Sequence, residues 1–139
     1  MKDNLNISNI QELCIYAHAF LDASGFKPKY KYPETQLDCI INGMSFAIYG
    51  DDTPTFGFGC IFEPNEELTD EEMDNISNLF KNEDIPFDYL HFTEDTVCVE
   101  SEIPIADFSE ELMGWIVDSL SSDTGVLSLL KSKSHIWRG

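Results

Sequence analysis

Basic residues are scarce in this sequence. Eight Lys and Arg stand against 26 Asp and Glu, which gives a formal net charge of −18 at pH 7 over 139 residues. Nucleic-acid binding draws much of its affinity from cations that neutralise phosphates, and an anionic membrane surface repels a protein of this charge. The composition therefore argues against nucleic acids and membranes as partners.

Long apolar runs and a targeting leader are also lacking. No stretch approaches the ~18 consecutive apolar residues of a membrane-spanning helix. The start, MKDNLNISNI, has no basic segment followed by an apolar run, as a secretory signal would. We expect a cytoplasmic protein.

Paired cysteine motifs are missing as well. The four cysteines are widely spaced, without a CxxC pair, and each lies in an apolar stretch. A buried reduced cysteine behaves as a small hydrophobic residue. We therefore expect thiols in the core rather than disulfides or a metal site at Cys14, Cys39, Cys60 and Cys98.

Core-forming side chains are abundant despite the charge. Hydrophobic residues make up 42% and aromatic residues 12% of the chain, including ten Phe, which indicates a globular protein rather than a disordered acidic one. At this length one domain should bury about 68% of the unfolded chain's surface. We expect a single domain over residues 1–139, in which residues 131–139 form a tail that is either flexible or docked.

Apolar residues spaced by three and four predict a helix from Asn6 to Ser24. Asn6 or Ser8 is expected to cap its start, and Gly25 stands where a left-handed residue would close its end.

N-terminal capping residues predict two further helices and a short last one. Thr69 and Glu72 form a capping box, and the acidic run around them, residues 63–74, suits the positive end of the helix dipole better than a metal site. A third helix over residues 107–119 is expected to begin with an Asp107/Glu110 box. Thr124 is the expected cap of the last helix.

The pair Asn42-Gly43 predicts a two-residue hairpin turn, because both positions require positive φ. The resulting register places six apolar side chains on one face, in the pairs Ile41/Met44, Cys39/Phe46 and Leu37/Ile48. A third strand follows, with Phe56, Phe58, Cys60 and Phe62 facing inward. The glycines between them are expected to permit a close approach by another backbone or a helix.

A second hairpin is predicted around residues 93–96. It pairs Phe92 with Val97 on the core side and His91 with Cys98 on the other face, beside Tyr89 and Glu100. A His/Cys pair is compatible with a catalytic or metal site, but such a site needs further ligands or an activating environment. Simple cross-strand packing is the preferred interpretation.

Nearly half of the basic residues lie in one connector, at Lys27, Lys29 and Lys31. They either form a patch for a partner or simply solvate the segment between the first helix and the first hairpin. We favour the second interpretation.

The largest predicted core residues are aromatic and branched side chains at inward strand and helix positions. They are Phe46, Phe56, Phe58, Phe62, Leu90, Val99 and Trp115.

The order of elements, α-βββ-α-ββ-α, predicts an α+β fold with helices packed on an antiparallel sheet. This order, the acidity, the helix ending Ile76-Ser77-Asn78-Leu79-Phe80 and the Leu-rich stretch 127–130 resemble the type III secretion chaperone-like fold. That fold is shared by bacterial class I secretion chaperones and YbjN-like sensory transduction regulators. The likeness covers nearly the whole chain and includes no active-site motif.

The resemblance implies a non-enzymatic protein-binding module, usually a homodimer built on the second hairpin and the helix after it, that offers apolar patches and sheet edges to an extended segment of a partner protein. It implies no catalytic, cofactor-binding or metal-binding residues. Apolar residues of the C-terminal helices are the expected partner-binding positions: Trp115, Ile116, Leu127 and Leu130.

Two other functions remain open. The negative surface could imitate nucleic acid, as in an inhibitor or adaptor from a mobile element. A small enzyme could instead assemble its site from distant residues around His91, Cys98 and Glu100.

Overall fold

The computed structural model describes residues 6–31, 35–51 and 53–138, which form four α-helices and six strands. The α+β fold class is confirmed, and the Lys-rich connector adds one strand to the predicted order. The bounds are α1 Ile10–Ala23, β1 Lys29–Lys31, β2 Gln36–Ile41, β3 Met44–Gly50, β4 Thr55–Phe62, α2 Asp70–Asn82, β5 Tyr89–Phe92, β6 Val97–Pro104, α3 Glu110–Ser121 and α4 Val126–Ser132, with a 3-10 turn at Ile105–Asp107.

The strands form one antiparallel sheet in the order β1-β2-β3-β4-β6-β5. The two hairpins predicted from the sequence are joined through β4 and β6, for example by Phe62 opposite Val97. The Lys-rich connector contributes β1, which lies at one edge of the sheet beside β2. At the other edge lies β5.

Both hairpin registers agree with the sequence predictions. In the first, Ile41 lies opposite Met44, and the turn residues Asn42 and Gly43 have φ of 53° and 81°. In the second, Phe92 lies opposite Val97.

The helices and one face of the sheet share a single hydrophobic core. Four inward phenylalanines of β3 and β4 are at most 2% exposed, and Val99 is fully buried. The predicted burial of Trp115 is wrong, since its side chain is 41% exposed. The buried stripe of α3 passes through Met113 and Ile116 instead, so Trp115 lies on the outer side of that helix.

Several helix starts differ from the sequence prediction. The cap of α1 is Asn9, whose side chain accepts a hydrogen bond from the amide of Glu12. The cap of α3 is Ser109, because Asp107 ends the 3-10 turn that precedes it. Likewise, Gly125 rather than Thr124 precedes α4.

The start of α2 is as predicted. The Thr69 side chain accepts from the amide of Glu72, and the Glu72 carboxylate accepts from the amide of Thr69. Asp70, Glu71 and Glu72 occupy the first turn, where negative charge complements the helix dipole.

The basic tail lies against two loops of the sheet. Residues 133–137 contact the segment after β4 and the turn between β2 and β3 through backbone hydrogen bonds. These are Asn65 N to Lys133 O at 2.8 Å, His135 N to Glu63 O at 2.8 Å and Trp137 N to Gly43 O at 3.0 Å.

Candidate functional site

Three of the four predicted partner-binding residues are part of the chain's own core. Ile116 is 1% exposed, Leu127 2% and Leu130 0%. Among the four, Trp115 alone offers surface to a partner. The apolar surplus of the C-terminal helices therefore serves mainly to pack α3 and α4 onto the rest of the domain.

The face of the sheet opposite the helices, called here the open face, offers more accessible side chains. Along each strand, residues of the open face alternate with residues that face the core. No described residue of the open face belongs to the hydrophobic cluster. Ile61 is 46% and Tyr89 61% exposed on this face. An antiparallel sheet commonly leaves one face to solvent, so these two apolar side chains are its distinctive feature.

Two buried glycines of β4 shape the centre of the open face. A Cβ on Gly57 would collide with the ring of Tyr49, which lies across β4 from the neighbouring strand. A Cβ on Gly59 would collide with the backbone carbonyl of Val99 on β6. The expectation that these glycines permit close approach is confirmed, and Tyr49 thereby reaches over β4 toward β6.

Glu100 of β6 is the centre of a polar cluster on this face. One carboxylate oxygen lies 3.3 Å from Nε2 of His91, and the other accepts a hydrogen bond from the Tyr49 hydroxyl at 3.5 Å. The rings of Tyr89 and His91 stack with centroids 6.0 Å apart and an interplanar angle of 12°. Together with the neighbouring carboxylate of β6, these residues form what we call the β5–β6 patch: Tyr49, Tyr89, His91, Glu100 and Glu102.

The sequence identified most of this patch but not all of it. Tyr89, His91 and Glu100 follow from the register of the second hairpin. Tyr49 was missed, because it belongs to the first hairpin and reaches the patch only through the pairing of β4 with β6. The alternating Gly57 and Gly59 were the available signal that a neighbouring group crosses β4.

The electrostatics of the patch keep the Tyr49 hydroxyl and the neighbouring thiol protonated. Burial, and then the negative charge of Glu100, raises the pKa of Tyr49 to about 12, so its hydroxyl keeps its proton and donates to Glu100. Burial likewise raises the pKa of Cys98, and Glu100 adds to the shift. A cysteine nucleophile requires the opposite direction, since the thiolate is the reactive form. What the patch offers instead is a carboxylate oriented by two neighbours and flanked by aromatic rings.

The edge strand β5 is held firmly at its start. The hydroxyl of buried Ser101 accepts a hydrogen bond from the amide of Asp88 and donates one to the carbonyl of Pro86, both at 2.9 Å. Among the described residues no strand pairs with the outer side of β5. The opposite edge, β1, carries Lys29 and Lys31, and lysines on an edge strand discourage pairing with another strand.

A groove of about 660 Å³ lies at the end of the second hairpin, between residues 63–68 and the turn at 93–96. Its apolar lining consists of Leu68, Met73, Phe92 and Val97. Its rim carries five carboxylates, at Glu63, Glu66, Glu67, Glu94 and Asp95. We call this feature the acidic groove.

Lys133 of the tail does not pair with these carboxylates. The ammonium of Lys133 instead pairs with Glu72 at 2.8 Å. Within residues 6–31, 35–51 and 53–138, no group of three His, Cys, Asp or Glu side chains is arranged to hold a metal ion. The same residues contain no disulfide.

Comparisons with known proteins add no family. No family model matches the chain, and comparison with curated proteins finds no match. No helix in the described part of the chain has the length and apolar composition needed to cross a membrane.

Proposed function

We propose that this protein is a non-enzymatic protein-binding module that holds an extended segment of a partner against strand β5. The observation that carries the proposal is the outer side of β5, which is unpaired among the described residues and lies beside the exposed ring of Tyr89. An extended segment that adds to such an edge gains main-chain hydrogen bonds, and pockets for alternate side chains provide specificity.

The two edges of the sheet are not equivalent for this purpose. β1 presents Lys29 and Lys31 on either side of Tyr30, whereas β5 carries no lysine and has its start fixed by Ser101. A rigid edge loses little conformational entropy when a segment binds to it. This contrast favours β5 as the recognition edge.

This mode of binding suits a chaperone-like or regulatory protein that acts in the cytoplasm, which is what the type III secretion chaperone-like resemblance implies. A chaperone or regulator of that kind needs a surface for an unfolded or extended partner rather than a reaction centre. The raised pKa of Cys98 gives the enzyme alternative no support.

A second candidate function rests on the acidic groove. Its five carboxylates have no hydrogen-bond or ion-pair partner among the described residues, as a surface that imitates nucleic acid would require. Binding of that kind would weaken steeply between about 50 and 200 mM salt, by analogy with phosphate contacts. Binding along a sheet edge through main-chain and apolar contacts would depend much less on salt.

The proposed function is tested by selecting linear peptides from a displayed random library and mapping the bound peptide by amide NMR shifts. We expect the largest shifts in residues 89–92, and we expect Tyr89→Asp to abolish binding. The matched control is Ile15→Asp, which places the same charge at a side chain 53% exposed on α1. Peptides that shift residues around Trp115 or the acidic groove instead of β5 would contradict the proposal.

A further inference from the structure

The permanent charges of the second hairpin are of one sign. No Lys or Arg occurs in the sequence between Lys81 and Lys131, so the whole second hairpin lacks a permanent cation. Asp88 precedes β5, and Glu100 and Glu102 lie on the open face of the adjacent strand. A segment that binds at this edge enters a negative field, which attracts cationic side chains and repels anionic ones.

The register shows where a cationic side chain of such a segment would lie. Tyr89 is directly opposite Glu100, so both side chains occupy the same row of the open face. A strand added beside β5 would lie about 4.8 Å from it, and its residue next to Tyr89 would extend over the phenol ring toward the Glu100 carboxylate. An aromatic face and a carboxylate together are a favourable environment for a guanidinium or ammonium group.

The other residues of the added strand would point to the core side of the sheet. There β5 presents Leu90 and Phe92, which are half-buried and pack against the hydrophobic core. Because side chains alternate along a strand, apolar residues suit these positions and cations suit those between them. The edge therefore matches a segment in which basic and apolar residues alternate.

The chain's own tail lies against the loop that follows β4. This tail pairs with residues 63–65 through backbone hydrogen bonds, and its Lys133 binds Glu72. By contrast, a second copy is a poor occupant of β5, because its own β5 and the flanking residues carry Asp88, Glu94 and Asp95 and no Lys or Arg. Like charges opposed across a strand pair are destabilising.

We infer that the partner segment captured at β5 is an extended peptide with alternating basic and apolar residues, whose cations bind Glu100 beside Tyr89. This inference rests on the proposed function and adds the chemistry of the partner. It makes Glu100 the residue that selects for charge and Tyr89 the aromatic surface on which the cation lies.

Three synthetic peptides test it: one with Arg and Val at alternate positions, one with the same composition in two blocks, and one with Glu replacing Arg. Affinity is measured by fluorescence anisotropy at about 50 and 200 mM salt, and the bound site by amide NMR shifts. We expect the alternating basic peptide to bind at residues 89–92, at least tenfold more tightly than either of the other two.

Variants then separate the contributions. Glu100→Gln should weaken binding about tenfold, since it removes the charge that holds the cation, and Tyr89→Ala should weaken it several-fold. Glu110→Gln, an exposed carboxylate on α3, is the control and should leave the affinity unchanged. Thermal unfolding followed by circular dichroism checks that each variant folds.

The possible failures are distinguishable. If the block peptide or the acidic peptide binds at residues 89–92 as tightly as the alternating basic one, the inferred chemistry is wrong and the proposed function stands. If no peptide shifts those residues, the proposed function fails. Basic peptides that lose affinity with Glu66→Gln rather than Glu100→Gln, or a dimer of the protein that protects the β5 amides, would also overturn the inference.

Discussion

The carboxylate of Glu83 accepts a hydrogen bond at 2.8 Å from the backbone amide of Val126 and so caps the start of α4. Glu83 is itself the residue that follows α2, so one side chain joins the end of one helix to the beginning of another. The intervening Gly125 has φ of 93°, and a Cβ at that position would collide with the same carboxylate.

Substitutions at this junction should destabilise the domain through two different causes. Glu83→Ala removes the cap and should cost about 1 kcal/mol. Gly125→Ala should cost more, because it adds backbone strain and displaces the Glu83 carboxylate. Urea unfolding measures both, with the exposed neighbour Asp84→Asn as the control. Equal stability of Gly125→Ala and the parent would contradict this assignment.

The ion pair of Glu72 with Lys133 should make the free energy of unfolding depend on pH in the acidic range. The hydrogen bond from Lys133, and then that from the Thr69 backbone, lowers the pKa of Glu72 from 4.5 to about 2. A carboxyl whose pKa is lowered by folding stabilises the native state above its unfolded pKa and loses that contribution as pH falls through its folded pKa. The contribution should therefore be complete above pH 4.5 and disappear toward pH 2.

Lys133→Met tests this relationship. NMR titration should show a higher pKa for Glu72, and the stability difference from the parent should be largest at neutral pH and shrink as the pH falls below 4.5. Lys81→Met removes a lysine from the other end of α2 and serves as the control. A stability difference that stays constant down to pH 2 would show that the ion pair contributes nothing.

Tyr49 should titrate far above an ordinary tyrosine. Its pKa is raised from 10 to about 12, first by burial and then by Glu100. Because folding raises this pKa, the associated stability is present below pH 10 and is lost as the pH rises through 12. The tyrosinate absorbance of the parent minus that of Tyr49→Phe gives the titration of this residue. Glu100→Gln should lower the pKa only in part, since burial remains; no change at all would place Glu100 away from the hydroxyl.

Phe58 should be among the most costly residues to truncate. It is 1% exposed, and its ring lies 5.8 Å from that of Phe56 and 5.7 Å from that of Phe87. Phe58→Ala should cost about 3–5 kcal/mol in urea unfolding, because it leaves a cavity among aromatic rings. Ile61→Ala on the open face of the same strand should cost much less. A loss below about 1 kcal/mol for Phe58→Ala would contradict its place in the core.

The homodimer implied by the type III secretion chaperone-like resemblance stays a prediction that light scattering can decide. If the dimer forms through α3, Trp115→Asp should convert it to a monomer of 15.8 kDa, whereas Ile15→Asp on α1 should not. A species of 15.8 kDa at every micromolar concentration tested would contradict the predicted homodimer.

Features that depend on neighbours in sequence were predictable. Asn42-Gly43 determines the turn between β2 and β3, and the two-residue period then determines which side chains face the core. The capping box of Thr69 and Glu72 is equally local, since both members lie within one helical turn.

Features that depend on residues distant in the sequence could not be predicted from it. The cap supplied by Glu83 has no local signal at Val126, and Tyr49 reaches Glu100 only after two hairpins have joined. The prediction of which face of α3 is buried was wrong for another reason. Trp115 and Ile116 are adjacent and both apolar, so the pattern alone did not determine which one the core would bury.

The position of β6 beside β4 has a consequence for how the chain reaches its native state. Strands β1 to β4 each pair with the strand next to them in the sequence. The pairing of β4 with β6 places Phe62 opposite Val97, and Val97 follows all of α2 and β5 in the chain. Closing a loop of that length costs conformational entropy before the contact stabilises the chain, so this pairing should form late. During synthesis, the unpaired backbone edge of β4 therefore emerges from the ribosome before the strand that will cover it. In that interval β4 is exposed to aggregation and to capture by cellular chaperones.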